Sequence, residues 1–278
     1  MLRLDTIHKH WSGNKYFKLK FNLEEARKQN KTTLLTFGGA YSNHIAATAA
    51  AGKENGFETI GIIRGEKHEP LNPTLQFASD CGMQLHYVSR EEYRKKDSAE
   101  FYNSLTQQFN NFYLIPEGGS NLLAIKGCTE ILNSVEENFD FVCCACGTGT
   151  TLAGLILSLN KNQKAIGFSS LKGGEFLVDD IQKQLNDYSL KYSKTIDFAD
   201  NWSINSDYHF GGYAKTTEQL IAFKKDFQAQ QNIELDYVYT AKMMFGIFDL
   251  IAKNYFPEGS KILAIHTGGI QGNKGFEK

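Results

Sequence analysis

No apolar run in this sequence approaches the roughly 20 residues needed to cross a bilayer. The longest, such as Phe141 to Cys146 and Ile262 to Ile265, are of strand length, so no membrane span is expected. Met1-Leu2-Arg3-Leu4-Asp5 lacks a basic segment leading into an apolar stretch, and with no secretory signal read there a cytoplasmic location is expected. Neither sign of charge is in excess. Thirty Lys and Arg against 31 Asp and Glu leave a net charge of -1, which gives no field to draw phosphate backbones or anionic lipid, so no nucleic-acid or membrane partner is expected. Cysteine is sparse and odd in number. Cys81, Cys128, Cys143, Cys144 and Cys146 do not resemble the framework of a disulfide-stapled secreted domain, and free thiols are expected. His-Glu-x-x-His and Gly-x-Ser-x-Gly spacings are missing, which removes the starting points for metalloprotease and serine hydrolase readings. In Cys143-Cys144-x-Cys146, strand alternation sends Cys143 to the opposite face from Cys144 and Cys146, so no metal site is expected. With only 4 prolines there is no proline-rich linker, and no repeat or low-complexity tract is evident. At 278 residues the chain is long enough for two domains or one large α/β unit; two domains would have to be interleaved.

What is present is an alternation. Short β-branched or aromatic runs predict strands at Thr33–Phe37, Thr59–Ile63, Gln84–Val88, Phe112–Ile115, Phe141–Ala145, Ala165–Phe168, Trp202–Asn205 and Ile262–Ile265. Between them the spacing predicts helices at Leu23–Gln29, Asn43–Asn55, Pro73–Cys81, Ser98–Asn110, Asn121–Glu137, Thr150–Asn160, Glu175–Tyr188, Thr216–Gln231 and Ala241–Asn254. Several strands are continuously apolar, so both faces should be covered by helices, as in parallel α/β sheets. Ligands of such sheets sit beyond the carboxyl ends of the strands. Three strand ends lead into turns rich in glycine or small polar residues: Gly38-Gly39-Ala40-Tyr41-Ser42-Asn43, Gly147-Thr148-Gly149-Thr150-Thr151, and Thr267-Gly268-Gly269.

The Gly147 turn opens an apolar helix, so unpaired backbone N–H groups and a positive helix end converge there as an anion cradle. Leu155 follows Gly154 where a Walker loop needs Lys, and Leu152 stands where a dinucleotide fingerprint needs its third glycine. A single phosphate monoester, helped by hydroxyls from Thr148, Thr150 or Thr151, fits the spacing better; a plain capped turn has the same pattern. The Gly38 to His44 turn precedes the small-residue helix Ala46 to Ala51, and a carboxylate could dock on its first N–H groups, or Ser42 or Asn43 could simply cap it. Ser12-Gly13-Asn14-Lys15 puts one lysine after a small-residue turn and Lys18 three residues later; alone, such a pair usually lies on solvated surface. A lysine, a phosphate cradle and a carboxylate-docking helix are together the parts of an enzyme that holds pyridoxal phosphate as a Schiff base.

These motifs, with Tyr237-Val238-Tyr239-Thr240-Ala241-Lys242 and His266-Thr267-Gly268-Gly269, resemble in order those of the D-cysteine desulfhydrase and 1-aminocyclopropane-1-carboxylate (ACC) deaminase family, over nearly the whole chain. The resemblance implies an α/β fold of the tryptophan-synthase-β-like kind (fold type II), with two interleaved three-layer domains built on parallel sheets. The larger would comprise residues 1–27 and 119–278 and the smaller, inserted one residues 28–118. It implies pyridoxal 5'-phosphate as cofactor, a small amino-acid substrate and a homodimer. Lys15 would be the Schiff-base lysine, Asn43 the partner of the cofactor's 3-hydroxyl, and Gly147, Thr148, Gly149, Thr150 and Thr151 the phosphate cup. Ser42, Asn43, His44 and Thr267 would meet the substrate, and Tyr213 and Tyr239 would flank the reacting centre. Relative to the family the chain begins late, so an opening strand of the larger domain is expected to be missing.

The deaminases of this family carry a glutamate facing the pyridine nitrogen where this sequence has Thr240, and a leucine where it has Thr267. A carboxylate would keep that nitrogen protonated and strengthen the ring as an electron sink; a hydroxyl does not. The resemblance therefore implies β-elimination on D-cysteine or a related β-substituted amino acid, giving pyruvate, ammonia and sulfide. ACC deamination to 2-oxobutanoate and ammonia is the alternative, and a catalytically weak cofactor-binding protein a further one.

Overall fold

The computed structural model describes residues 1–193 and 201–276. Nine strands form two sheets in which every pairing is parallel. They are β1 (Leu2–Arg3), β2 (Thr33–Gly39), β3 (Glu58–Arg64), β4 (Gln84–Val88), β5 (Phe112–Ile115), β6 (Phe141–Cys146), β7 (Lys164–Ser169), β8 (Trp202–Asn205) and β9 (Ile262–His266). The larger sheet has the order β1-β9-β6-β7-β8, the smaller β4-β3-β2-β5. The helices are α1 (Asn14–Lys28), α2 (Asn43–Asn55), α3 (Pro73–Asp80), α4 (Arg90–Tyr93), α5 (Ala99–Phe109), α6 (Leu122–Cys128), α7 (Thr150–Ile156), α8 (Leu177–Tyr192), α9 (Glu218–Gln231) and α10 (Thr240–Ala252).

Burial follows the alternation of each strand. From β6, Val142, Cys144 and Cys146 join the cluster made with α6, α7 and α8, while Cys143 and Ala145 join the one made with α9 and α10. In the smaller sheet Leu34 faces α1 and α2, and Leu35 and Phe37 face α5. All five cysteines are free thiols, and four are buried.

Both sheets reverse direction at one strand. From β2 the chain adds β3 and β4 on one side and then returns to place β5 on the other; from β6 it adds β7 and β8, then β9 on the far side. The carboxyl ends of β2 and β6 are therefore topological switch points, where connecting helices diverge and leave a crevice. The Gly38–Asn43 and Gly147–Thr151 turns stand at these two points.

Two elements depart from the periodicity reading. α1 begins at Asn14 instead of Leu23, because Lys18 and Asn22 are polar yet buried and break its apolar stripe. The helix expected over Asn121–Glu137 stops at Cys128 and resumes as a short 3-10 turn at Ile131–Ser134. α1 and α6 pack closely: a Cβ on Gly127 would lie 1.9 Å from the Phe17 carbonyl oxygen, so only glycine allows the approach. β1 is a two-residue strand with no apolar run to reveal it.

Candidate active site

The two switch points face one cleft of about 790 Å³ between the sheets. Lys15 enters it from the first turn of α1. That turn is fixed by Gly13, whose φ of +71° is open to glycine and whose Cβ would stand 2.1 Å from the Thr267 carbonyl oxygen. The Asn14 amide donates to that same carbonyl at 3.2 Å, and the Asn14 side-chain amide donates to Thr151 Oγ1 at 2.9 Å. The lysine is thus locked to both the β9 and the β6 loops. Its amine is 3.4 Å from Asn14 Oδ1. Burial, with the Lys18 charge adding to it, drives the Lys15 pKa well below the ordinary value of 10.5.

Lys18, one turn on, is 2% exposed instead of solvated. Its amine donates to the Gly118 carbonyl at 3.0 Å and to Thr148 Oγ1 at 3.3 Å, and burial lowers its pKa. It therefore points a cation at the Gly147–Thr151 loop. Gly149, at φ +73°, caps α7 without a side chain, which leaves the first amides of that helix for a ligand. Gly147 lies under Tyr239: a Cβ there would stand 3.2 Å from the phenol oxygen, a tight contact that the ring would relieve by shifting a few tenths of an ångström.

Opposite, Ser42 caps α2 by accepting from the Ile45 amide at 3.3 Å. Asn43 borders the cleft beside Gly269 and Gly272. His44 turns inward, 2% exposed. Thr36 donates its hydroxyl to the Ile115 carbonyl at 2.8 Å and so accepts from His44 Nε2 at 2.7 Å. That fixes the proton on Nε2 and leaves Nδ1 as a buried acceptor with no protein partner. Burial, reinforced by Lys15 and Lys18, holds the imidazole neutral, with its pKa well below 6.5.

Tyr213 and Tyr239 meet edge to face at 6.1 Å between ring centres. Burial, and then the neighbouring Tyr213, raises the Tyr239 phenol well above its ordinary pKa, so it stays protonated. Thr267 lines the cleft as well. Of the residues expected from the sequence, Lys15, Ser42, Asn43, His44, Gly147, Thr148, Gly149, Thr151, Tyr213, Tyr239 and Thr267 all border this one cavity. Thr150 and Thr240 lie behind its lining, fully buried. The Thr150 hydroxyl pairs with Ser120 Oγ at 2.6 Å. The Thr240 hydroxyl donates to Asp236 Oδ1 and accepts from the Asp236 amide, both at 2.8 Å. Asp236 is what reaches the cleft. Its carboxylate also accepts from the amides of Val238, Tyr239 and Thr240, capping α10; burial raises its pKa against those bonds. Sequence reading missed Asp236, whose signal is an Asx residue four positions before an apolar helix, and Arg64 and Glu117, which join the lining from the smaller sheet and the β5 exit.

These residues fit pyridoxal phosphate. A buried amine whose pKa is lowered suits carbonyl condensation, and the adjacent bare helix end with Lys18 suits a phosphate. Among the described residues no three His, Cys, Asp or Glu side chains gather as a metal site, and no helix is long and apolar enough to cross a membrane.

A family model described as pyridoxal-phosphate dependent enzyme matches residues 2–268. The chain is 32% identical over 285 residues to the mitochondrial bifunctional D-cysteine desulfhydrase/1-aminocyclopropane-1-carboxylate deaminase of Arabidopsis thaliana, covering 94% of this chain and 69% of that protein. It is 32% identical over 276 residues to a Thermotoga maritima protein provisionally named 1-aminocyclopropane-1-carboxylate deaminase, covering 94% and 85%. The crystal structure of an ACC deaminase homologue superposes with a TM-score of 0.86 at 28% identity, over 98% of this chain and 84% of that one.

Proposed function

The chain belongs to the pyridoxal-phosphate dependent enzyme family, in its fold type II architecture of two parallel-sheet units, and from that premise we propose that it is a lyase eliminating the β-substituent of D-cysteine or a related amino acid. The observation that carries the reading is the place of the Lys15 amine, its pKa lowered by burial, between the Gly147–Thr151 turn and the start of α2 in one cleft. When bound, the cofactor supplies an electron sink for charge developing on the substrate's Cα.

The chain's own groups do the rest. Lys15 holds the cofactor, and its released amine takes the Cα proton; a depressed pKa keeps it competent as a base near neutrality. Thr148, Thr151, the Gly147–Gly149 backbone and Lys18 hold the phosphate. Ser42, Asn43 and the first amides of α2 hold the substrate carboxylate, with His44 as a neutral acceptor below and Thr267 at the side. Asn43 orients the ring. Thr150 and Thr240 secure the wall, Thr240 by fixing Asp236. Tyr239, kept as a phenol by burial, offers a hydrogen-bond donor beside the reacting centre, with Tyr213 against it.

The same reading divides the chain into 1–27 with 119–278 and an inserted unit at 28–118. It includes a homodimer, supported by the exposed apolar side chains of Phe248 and Ile251 on α10 and of Tyr255 just beyond its end, and a cytoplasmic location, supported by five free thiols.

The test is incubation of the cofactor-loaded protein with D-cysteine, L-cysteine and ACC. Sulfide and pyruvate from D-cysteine are expected; 2-oxobutanoate from ACC would move the assignment to the deaminase reading. Lys15→Ala should lower turnover by about 10²–10⁴-fold and abolish cofactor trapping by borohydride. Unchanged trapping in that variant would remove Lys15 from its role.

A further inference from the structure

Lys242 breaks a rule of helix electrostatics. It is the third residue of α10, where the macrodipole disfavours a cation, and it is 1% exposed. Its amine compensates through two backbone carbonyls, donating to His209 at 2.9 Å and Gly212 at 2.8 Å. Burial lowers its pKa to about 8. Both carbonyls belong to the strap 208–215. Four of the five residues 210–214 have positive φ; Gly211 and Gly212 adopt it freely, but Phe210 and Ala214 carry a Cβ and adopt it only when held. Two further contacts tie the strap to the same helix: Tyr208 donates its hydroxyl to Asp249 at 2.6 Å, and Phe210 meets Phe245 edge to face at 5.0 Å. At the strap's tip Tyr213 is half exposed and leans on Tyr239, the residue immediately before α10.

We propose that Lys242 is a positioning residue that pins the 208–215 strap by the carbonyls of His209 and Gly212 and so sets the Tyr213 ring against Tyr239 at the cleft. The inference rests on the functional reading only in giving Tyr213 a place beside the substrate. The latch itself is a property of the fold. A buried ammonium bonded to two carbonyls is a strong pair of charge-assisted bonds, and its loss frees a segment that has unfavourable backbone angles of its own.

The experiment is hydrogen exchange on the full chain carrying its cofactor, comparing wild type with Lys242→Met, which keeps the length and apolar stem. Amides of 208–215 should exchange about tenfold faster or more in the variant, while those of β6 and β7 keep their protection. Unchanged strap exchange in Lys242→Met would overturn the proposal. If that variant does not accumulate folded, Lys242→Gln, whose shorter side chain does not span to both carbonyls, should also speed strap exchange; wild-type protection there would equally overturn the proposal. In turnover, the loss of kcat/KM caused by Lys242→Met should vanish in a Tyr213→Ala background, and a loss that persists undiminished would show that Lys242 does not act through Tyr213. Should wild type turn over none of the amino acids tried, the functional reading fails while the exchange comparison still decides the latch.

Discussion

In the proposed site two lysines one helical turn apart have opposite tasks, and their partners separate them. Lys15 meets only a side-chain oxygen at 3.4 Å and is driven toward the neutral amine. Lys18 is bonded to a carbonyl and a hydroxyl, contacts that favour its charged form. Lys18→Met should therefore weaken cofactor binding by about 10–100-fold, the loss of one charge-assisted contact, in an equilibrium titration of the cofactor-free protein. Its fold should survive, because the methionine fills the same buried volume. The spacing of the pair is plain in the sequence. Their burial is not, since the face of α1 that carries them is closed by Gly118 and Thr148, more than a hundred residues away. His44 is similar: its place after Ser42-Asn43 is legible, but the Thr36 hydroxyl that fixes its tautomer is a pairing of strand and helix.

At the scale of elements, the parallel strands are the most readable, because helices on both faces demand apolar runs such as Val142 to Cys146. Helices beside the cleft are less so. The first half of α1 carries Lys18 and Asn22 inward, and Asn22 bonds Asn121 and the Tyr113 hydroxyl, so a polar network replaces the hydrophobic stripe that marks an amphipathic helix. The α1–α6 contact yields a direct test. Gly127→Ala places a methyl against the Phe17 carbonyl and should destabilise the fold by about 1–3 kcal/mol, measured by chemical denaturation. It should also weaken cofactor binding, because the displaced helix carries Lys15 and Lys18.

For the whole molecule the buried titratable groups predict how stability varies with pH. Lys15, Lys18 and Lys242 have folded pKa values below the unfolded 10.5. Between those values the unfolded chain binds more protons, so stability rises with pH, for Lys242 from about 8 upward. Burial raises the thiols of Cys128 to about 11 and Cys146 to about 12, with Cys143 and Cys144 also raised from 9.0. Above 9.0 the unfolded chain sheds those protons first and stability falls. The midpoint of thermal unfolding of the cofactor-free protein should climb from neutrality to about pH 9 and then decline. With cofactor bound to Lys15, that residue's share of the rise should disappear.

Lys15 also stands on a helix that the cores of both sheets share. Leu19, Leu23 and Ala26 of α1 belong to the core of the smaller sheet, while Phe17 packs into that of the larger. Anyone wishing to transplant the smaller sheet with its helices could not cut at residue 28 without baring an oily seam on each severed piece. The helix works as a shared spine, and any relative tilting of the two lobes about it would be felt first at the amine it carries.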